Sequence, residues 1–231
     1  MCEAIPSDGA AGTATARPRR TRRASGRFAG LPMAQAAVRF ARARHAGQHR
    51  DIDHAPFIAH PIEVASLLRR DGQPDEIIAA GVLHDVLEKT ATTSAELHRR
   101  FGARTARVVE SVSDDPSLGD YKSRKRDLRD RVARADPGTR AVFAADKIAK
   151  VRELALLPAW QLNEPTHRAK LAHYRATLET LRRVDGDTPL IQRLDAELNR
   201  LLASAAAGTH TAGPITSAAA SSRGKHRTLP A

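Results

Sequence analysis

Apolar residues recur at helical spacing along most of this chain, and few stretches alternate as half-buried strands do. Gly, Pro and short polar turns separate the periodic stretches and set the ends of the elements. The pattern therefore predicts an all-α fold with helices at about 33–46, from Pro61 onward, and at about 76–89, 94–101, 103–111, 119–135, 139–157, 165–183 and 188–204. In detail, His60 is expected to cap the helix that has Pro61 at its first position, and Asp75 to cap the helix over 76–89.

The two ends of the chain lack this periodicity. Residues 1–32 are rich in Ala, Thr, Gly, Pro and Arg, and residues 205–231 are rich in Ala, Ser, Thr and Gly. Such compositions favour disorder, which leaves one helical domain over residues 33–204. Because Met33 begins the first periodic helix directly, it is also a candidate for the true start of the protein.

Composition narrows the classes of function. Aromatic residues make up 3% of the chain, so Ala, Leu, Val and Ile must supply the core. No apolar run is long enough for a membrane span, and the first residues do not resemble a secretory signal. The single cysteine, Cys2, cannot form an intrachain disulfide, which fits a reducing cytoplasm. The sequence gives no indication of the oligomeric state.

The positive charge of the chain is unevenly distributed. The net charge is +12, of which residues 1–32 contribute +4 and residues 204–231 contribute +3. The middle of the chain therefore keeps a moderate excess of +5. This excess suits an anionic small molecule such as a phosphorylated nucleotide, and a nucleic-acid partner is not expected.

The dipeptide His84-Asp85 stands in an otherwise apolar stretch. A buried carboxylate is costly unless it has a hydrogen-bond donor, a counter-charge or a metal ion. His60, upstream, and Asp146, downstream, provide two more potential ligands. Two imidazoles and two carboxylates can hold one divalent ion, and this mixed set favours Mn²⁺ or Fe²⁺.

Hydrolysis of a phosphate ester or pyrophosphate is the chemistry that such a site supports. A bound ion lowers the pKa of its water and polarises a phosphoryl oxygen. On a regular helix Glu88 lies one turn beyond His84, near enough to accept a proton from that water.

Each residue alone also has an ordinary structural explanation. His60 beside Pro61 fits a helix cap, and Asp146 fits an ion pair with Lys150 one turn away. The metal hypothesis depends on considering the four candidate ligands together with the sequence motifs that contain them.

Those motifs resemble a known family. The motifs are Gly47-Gln48-His49-Arg50, Pro56-Phe57-Ile58-Ala59-His60-Pro61, Leu83-His84-Asp85-Val86-Leu87-Glu88, Phe101-Gly102 and Ala145-Asp146-Lys147. In this order they resemble the HD-type hydrolase domain of the RelA/SpoT alarmone enzymes, especially the stand-alone small alarmone hydrolases. The resemblance covers roughly residues 34–160.

The resemblance implies an all-helical HD-domain bundle that binds Mn²⁺ and removes the 3′-pyrophosphate from guanosine tetra- or pentaphosphate. It also implies roles for single residues. Glu88 matches the first acid of a Glu-Asp pair that acts on the hydrolytic water, and Arg50 matches an arginine that packs against the guanine base. The positions that match metal ligands are His60, His84, Asp85 and Asp146.

The chain departs from the family pattern at the edge of the predicted site. Lys89 replaces the second acid of the Glu-Asp pair, Lys150 replaces an asparagine that contacts the nucleotide sugar, and Asp51 replaces a basic residue. Lys89 and Lys150 are therefore candidates to bind a phosphate group. The replacement by Lys89 also means that a carboxylate that would assist hydrolysis is absent. A different phosphorylated nucleotide, or a nucleotide sensor without turnover, remain alternatives to alarmone hydrolysis.

The basic segment that contains Lys125 and Arg126 has two interpretations. It is either a solvated helix face or a phosphate clamp that closes over the active site. Lys125 and Arg126 are thus predicted substrate-binding residues, together with Arg50 and Lys150.

Overall fold

A computed structural model describes residues 26–209 of the chain. Within this range the fold is all-α, as predicted, and the only β pairing is an isolated bridge between His49 and Pro56. The helices are α1 (Pro32–Arg44), α2 (Ala59–Arg70), α3 (Asp75–Leu83), α4 (Val86–Lys89), α5 (Ser94–Val112), α6 (Tyr121–Arg134), α7 (Pro137–Leu154), α8 (Ala159–Leu162), α9 (Pro165–Asp185) and α10 (Pro189–Thr209). None of the helices in this range is long and apolar enough to cross a membrane.

Helix α3 is the centre of the bundle. Every residue from Ile77 to Leu83 is buried, because α1, α2, α5 and α7 surround the helix. Gly81 lets α2 approach closely, since a Cβ atom at this position would collide with Leu68 Cδ1. The apolar run that the sequence shows before His84 is thus the innermost helix of the fold.

The helix predicted over 76–89 is interrupted. It consists of α3 and α4, with His84 and Asp85 between them. The imidazole Nδ1 of His84 donates to the carbonyl oxygen of Gly81 at 2.9 Å, and Asp85 has φ −94° and ψ −5°, away from regular helix geometry. The prediction of one continuous helix was therefore wrong, and the expectation that Glu88 shares a regular helical face with His84 loses its basis.

Asp75 caps a different helix from the one predicted. Its own helix begins after Pro74, and its carboxylate accepts hydrogen bonds from the backbone N–H groups of Met33 and Ala34, each at 2.8 Å. Two of the unsatisfied donors at the start of α1 are thereby paired across the tertiary structure. The correct chemistry was predicted for Asp75, but for the wrong helix.

The start of α2 also differs from the prediction. The helix begins at Ala59, so His60 lies inside its first turn rather than at its cap. The structure agrees with the predicted break at Gly102, whose φ of +79° interrupts α5. Only glycine adopts this backbone conformation without strain.

The predicted domain boundary after residue 32 needs correction. Phe28 is 2% exposed and packs in the hydrophobic core, and the side chain of Arg27 donates to Ser66 Oγ. Residues 26–32 therefore belong to the folded domain, and a chain that began at Met33 would lack a core residue. At the other end α10 extends through Thr209. The disorder predicted for residues 1–25 and 210–231 lies outside the described residues.

Replacing Phe28 with alanine tests the contribution of this segment. We expect Phe28→Ala to lower the free energy of unfolding by about 3–5 kcal/mol, because the change leaves a cavity in the core. Chemical denaturation of the full chain measures the effect. Leu156→Ala is the matched control, since Leu156 is 59% exposed and should change stability by less than about 0.5 kcal/mol. Equal effects of the two substitutions would contradict the core position of Phe28.

Candidate metal centre

The four predicted metal ligands converge at one buried point. His60 comes from α2, His84 and Asp85 from the α3–α4 break, and Asp146 from α7. His60 Nε2 lies 3.2 Å from His84 Nε2, 3.1 Å from Asp146 Oδ1 and 3.6 Å from Asp85 Oδ2. His84 Nε2 lies 3.3 Å from Asp85 Oδ2 and 3.4 Å from Asp146 Oδ1. Ligand atoms of His60, His84 and Asp146 thus lie within 4.8 Å of one another, although these residues are separated by up to 86 positions in the sequence, and Asp85 Oδ2 lies beside the two histidines.

The donor set fits a divalent cation. Ligand atoms about 2.0–2.2 Å from a first-row metal ion are roughly 3 Å apart when adjacent, close to the separations found here. The hydrogen bond from His84 Nδ1 to the Gly81 carbonyl leaves the Nε2 lone pair of the neutral imidazole facing the centre. Asp85 Oδ2 is buried and makes no well-directed hydrogen bond, although His84 Nε2 lies 3.3 Å away. A cation bound between these atoms would be a partner for this oxygen.

Two lysines orient Asp146. Lys147 Nζ lies 2.5 Å from Asp146 Oδ2, and Lys150 Nζ lies 3.0 Å from Asp146 Oδ1. Burial alone would raise the pKa of Asp146, but the two ammonium groups hold it well below its usual range. Oδ2 is thus occupied by Lys147, while Oδ1 faces the two histidines.

Lys147 is a residue of the site that the sequence interpretation did not assign a role. It is 2% exposed, and its Nζ also lies 4.1 Å from the centre of the Phe143 ring. Burial lowers the pKa of Lys147 to about 8, although Asp146 opposes that shift. A lysine within a mostly apolar helix that directly follows a carboxylate is the signal that would have revealed this buried pair.

A cavity of about 510 Å³ opens beside the ligand cluster, and both His60 and Asp85 line it. Its walls also include three residues with predicted roles, Arg50, Lys89 and Lys150. Sequence interpretation missed the contributions of α9 and of the end of α7, which are Glu153, Lys170 and Tyr174. The helical spacing of four between Lys170 and Tyr174, and of seven between Asp146 and Glu153, would have placed each pair on one helix face.

Arg50 and Lys89 are held at the cavity wall by different contacts. The Arg50 guanidinium forms a two-point ion pair with Asp53, with Nε 2.9 Å from Oδ1. Lys89 Nζ lies 5.2 Å from the centre of the Phe57 ring, within the range of a cation–π contact. The side-chain amide of Gln48 donates to the backbone carbonyl of Lys89 at 2.8 Å and anchors that residue.

Three predicted site residues lie elsewhere in this structure. Glu88 accepts a hydrogen bond from the backbone N–H of Asp114 at 2.7 Å and lines a neighbouring cavity of about 830 Å³. Lys125 pairs with Asp114 at 2.6 Å. Arg126 has a side chain that is 79% exposed and lies 4.0 Å from Asp130. None of the three lines the cavity beside the metal ligands.

Comparison with protein families gives one match to this part of the chain. The model of the HD domain family matches residues 37–157, which include the four predicted metal ligands and the cavity wall up to Leu154. The match thus covers the elements that carry the candidate site.

Curated relatives share the same segment. The guanosine-3′,5′-bis(diphosphate) 3′-pyrophosphohydrolase MESH1 of Danio rerio is 39% identical over 120 residues, which are 51% of this chain and 66% of the relative. The Homo sapiens protein of the same name is 38% identical over 121 residues, or 51% of this chain and 67% of the relative. The aligned segment therefore spans about two thirds of the length of these relatives. A bacterial enzyme from Aquifex aeolicus, with the same activity in its name, is 36% identical over 123 residues, or 52% of this chain and 17% of the relative.

Solved structures show a similar fold. A structure described as a metazoan ortholog of SpoT that hydrolyses ppGpp superposes with a TM-score of 0.63 at 23% identity. The superposition covers 73% of this chain and 94% of that chain. A protein from Listeria monocytogenes superposes with a TM-score of 0.57 at 23% identity, over 64% of this chain and 96% of that chain. At this level of identity the likeness concerns the fold.

Metal binding at this centre should depend on pH. Burial lowers the pKa of His84, but the charge of Asp85 and the hydrogen bond to Asp146 outweigh burial and raise that pKa to about 10. Without an ion, Nε2 is therefore protonated at neutral pH, and a metal ion must displace that proton. We expect the affinity for Mn²⁺ to rise about tenfold per pH unit between about pH 7 and pH 8, measured by titration calorimetry.

Histidine variants separate this effect from nonspecific binding. His84→Ala should abolish tight binding, because it removes a ligand. His98→Ala should preserve both the affinity and its pH dependence, since His98 pairs with Glu110 outside the site. An affinity of the unsubstituted protein that does not change with pH would contradict the displaced proton.

Proposed function

Because this chain belongs to the HD domain family, we propose that it is a metal-dependent phosphohydrolase whose substrate is guanosine 3′,5′-bis(diphosphate), ppGpp. The products are GDP and pyrophosphate. The observation that carries this proposal is the buried cluster of His60, His84 and Asp146, with the Asp85 carboxylate beside it, next to a cavity with basic side chains on its wall. Curated relatives that share the segment bear the name of this activity.

In this proposal His60, His84, Asp85 and Asp146 hold Mn²⁺, or another divalent ion such as Fe²⁺. An ion in this position activates a water molecule and neutralises charge on the phosphoryl oxygens. The mixed nitrogen and oxygen donors suit these ions better than Mg²⁺, which prefers oxygen alone.

The chain's own side chains bind and orient the substrate. Lys89 and Lys150 bring ammonium groups to the cavity wall, where they pair with phosphate oxygens. The Arg50 guanidinium, fixed by Asp53, offers a flat face for the nucleotide base. Lys125 and Arg126, outside the cavity, are proposed to meet substrate only at its outer edge.

Glu88 is the proposed acceptor of the proton from the hydrolytic water, on the basis of the sequence motif. The carboxylate contacts the backbone N–H of Asp114, so this role requires Glu88 to leave that contact and turn toward the ligand cluster. Location in the cytoplasm is part of the same proposal, as is a substrate that is a small phosphorylated nucleotide.

Incubation of the full chain with Mn²⁺ and ppGpp tests the proposal directly. We expect release of GDP and pyrophosphate, and we expect Asp85→Asn to lower kcat/KM by at least about 100-fold, because the neutral amide binds the ion weakly. Product chromatography and metal analysis measure the two effects.

Asp187→Asn is the control for this variant. Asp187 lies between α9 and α10, with a side chain that is 59% exposed and pairs with Arg182, so its loss should leave the activity unchanged. A preparation that contains the metal but leaves ppGpp intact would contradict the alarmone substrate.

Lys89 provides a separate test of substrate binding. We expect Lys89→Ala to raise KM about tenfold with kcat changed less than about twofold, because a charge-assisted hydrogen bond contributes roughly 1.5–3 kcal/mol and solvent at the cavity weakens it. Steady-state kinetics with ppGpp measures both constants. A fall in kcat at constant KM would show instead that Lys89 acts in the chemical step.

A nucleotide sensor is the second candidate function. Two observations favour it: Lys89 places an ammonium group on the cavity wall, and Glu88 faces the neighbouring cavity. A sensor would bind nucleotide in calorimetry, and the ligand would be recovered intact afterward. A third candidate, hydrolysis of another phosphorylated nucleotide, is distinguished by a substrate panel.

A further inference from the structure

The wall of the metal cavity contains a carboxylate that has no partner. Glu153, on α7, lines the cavity and makes no side-chain hydrogen bond or ion pair with any described residue. The adjacent Arg152 pairs with Glu63 and Glu197 instead. Glu153 is only partly buried, so its carboxylate is accessible from the cavity.

A carboxylate is unexpected in a cavity that binds phosphate groups. Its charge repels phosphate oxygens, and the cations nearby do not neutralise it by direct contact. Arg50 is already paired with Asp53, and Lys150 with Asp146. Lys170, on α9, forms no ion pair among the described residues. The Glu153 carboxylate is therefore suited to a part of the ligand that donates hydrogen bonds rather than one that carries negative charge.

We propose that Glu153 selects the base of the nucleotide by accepting hydrogen bonds from the N1–H and 2-amino groups of guanine. This inference rests on the proposed function, because it assigns one end of the same cavity to the base of the proposed nucleotide substrate.

The hydrogen-bonding edge of guanine matches a carboxylate. Guanine presents two adjacent donors, N1–H and the 2-amino group, and the two carboxylate oxygens accept both in parallel, as they do with an arginine side chain. Hypoxanthine, the base of inosine, keeps N1–H and lacks the amino group. Adenine has an unprotonated N1, whose lone pair the carboxylate repels.

The position of Glu153 agrees with this assignment. It lies seven residues beyond Asp146 on the same helix, so the two side chains are separated by about 10 Å along the helix axis. A phosphate at the metal ligands therefore leaves room for the base further along α7. Glu153 and Arg50 line the same cavity. The hydrogen bond to Asp53 raises the pKa of Arg50, and the negative charge of Glu153 adds to that shift.

Arg50 supplies the complementary surface for the base. Its ion pair with Asp53 fixes the guanidinium plane at the cavity wall, and guanidinium planes stack on nucleotide bases. Stacking on Arg50 binds guanine and adenine alike, whereas the Glu153 carboxylate accepts hydrogen bonds that only guanine donates. Arg50 thus contributes affinity for the base, and Glu153 contributes specificity for guanine.

The test compares the guanosine, inosine and adenosine 3′,5′-bis(diphosphates) as substrates of the full chain. We expect kcat/KM to be about 10–100-fold higher for guanosine than for inosine, the effect of one hydrogen bond to a charged group, and lower still for adenosine. In Glu153→Ala the preference for guanosine over inosine should fall to about twofold or less. Glu153→Gln, with one acceptor oxygen, should give an intermediate ratio.

Glu179→Gln is the matched control, since Glu179 is an exposed glutamate on α9 that does not line the cavity. It should retain the ratio of the unsubstituted protein. If Glu153 only balances the charge of nearby cations, Glu153→Ala will instead lower KM for all three substrates by the same factor, and the proposal is wrong. Thermal unfolding of each variant shows whether it is folded before the ratios are compared.

A binding measurement separates this proposal from the proposed function. If none of the three substrates is hydrolysed, alarmone hydrolysis fails, but calorimetry with GDP, IDP and ADP still tests Glu153. Tighter binding of GDP than of IDP that disappears in Glu153→Ala supports base selection. Equal affinities for the three diphosphates in the unsubstituted protein overturn it.

Discussion

Two carboxylates buried in an apolar helical core are the constraint on which this structure depends. Asp85 and Asp146 are almost fully enclosed and lie against two imidazoles. Negative charge at such a position is stable only when a cation compensates it. Lys147 and Lys150 provide part of that compensation on Asp146, while Asp85 Oδ2 makes no well-directed hydrogen bond and lies 3.3 Å from His84 Nε2. The metal hypothesis follows from this gathering of ligand atoms as much as from the sequence motif.

The helices around the site position these charged side chains. The innermost helix, α3, is apolar on all sides and ends where His84 turns back to the Gly81 carbonyl. Asp85 follows at that break and lies beside the two histidines. One turn later Lys89 lines the metal cavity and Glu88 the neighbouring one. Adjacent residues on a helix project about 100° apart, so the two side chains enter different cavities.

Sequence patterns predicted the helical class, most helix ranges and the four converging ligands, because each depends on periodicity or on strong local chemistry. They failed where a tertiary contact overrides the local signal. Asp75 has the properties of a cap, and only the packing of α1 against α3 determines which helix it caps. Phe28 precedes the first long periodic stretch, so no local pattern marked it as a core residue. Lys170 could not be joined to the site from sequence, since only the packing of α9 against α7 brings it to the cavity wall.

The contact between Asp75 and the start of α1 also affects how the molecule opens. The amide hydrogens of Met33 and Ala34 are bonded to a side chain of the central helix rather than to their own helix. Exchange of these two hydrogens with solvent therefore requires the Asp75 contact to break, and an opening of α1 that leaves this contact in place does not expose them. The first turn of α1, which would ordinarily be among the earliest parts of a helix to exchange, is in this way protected by a side chain of the central helix.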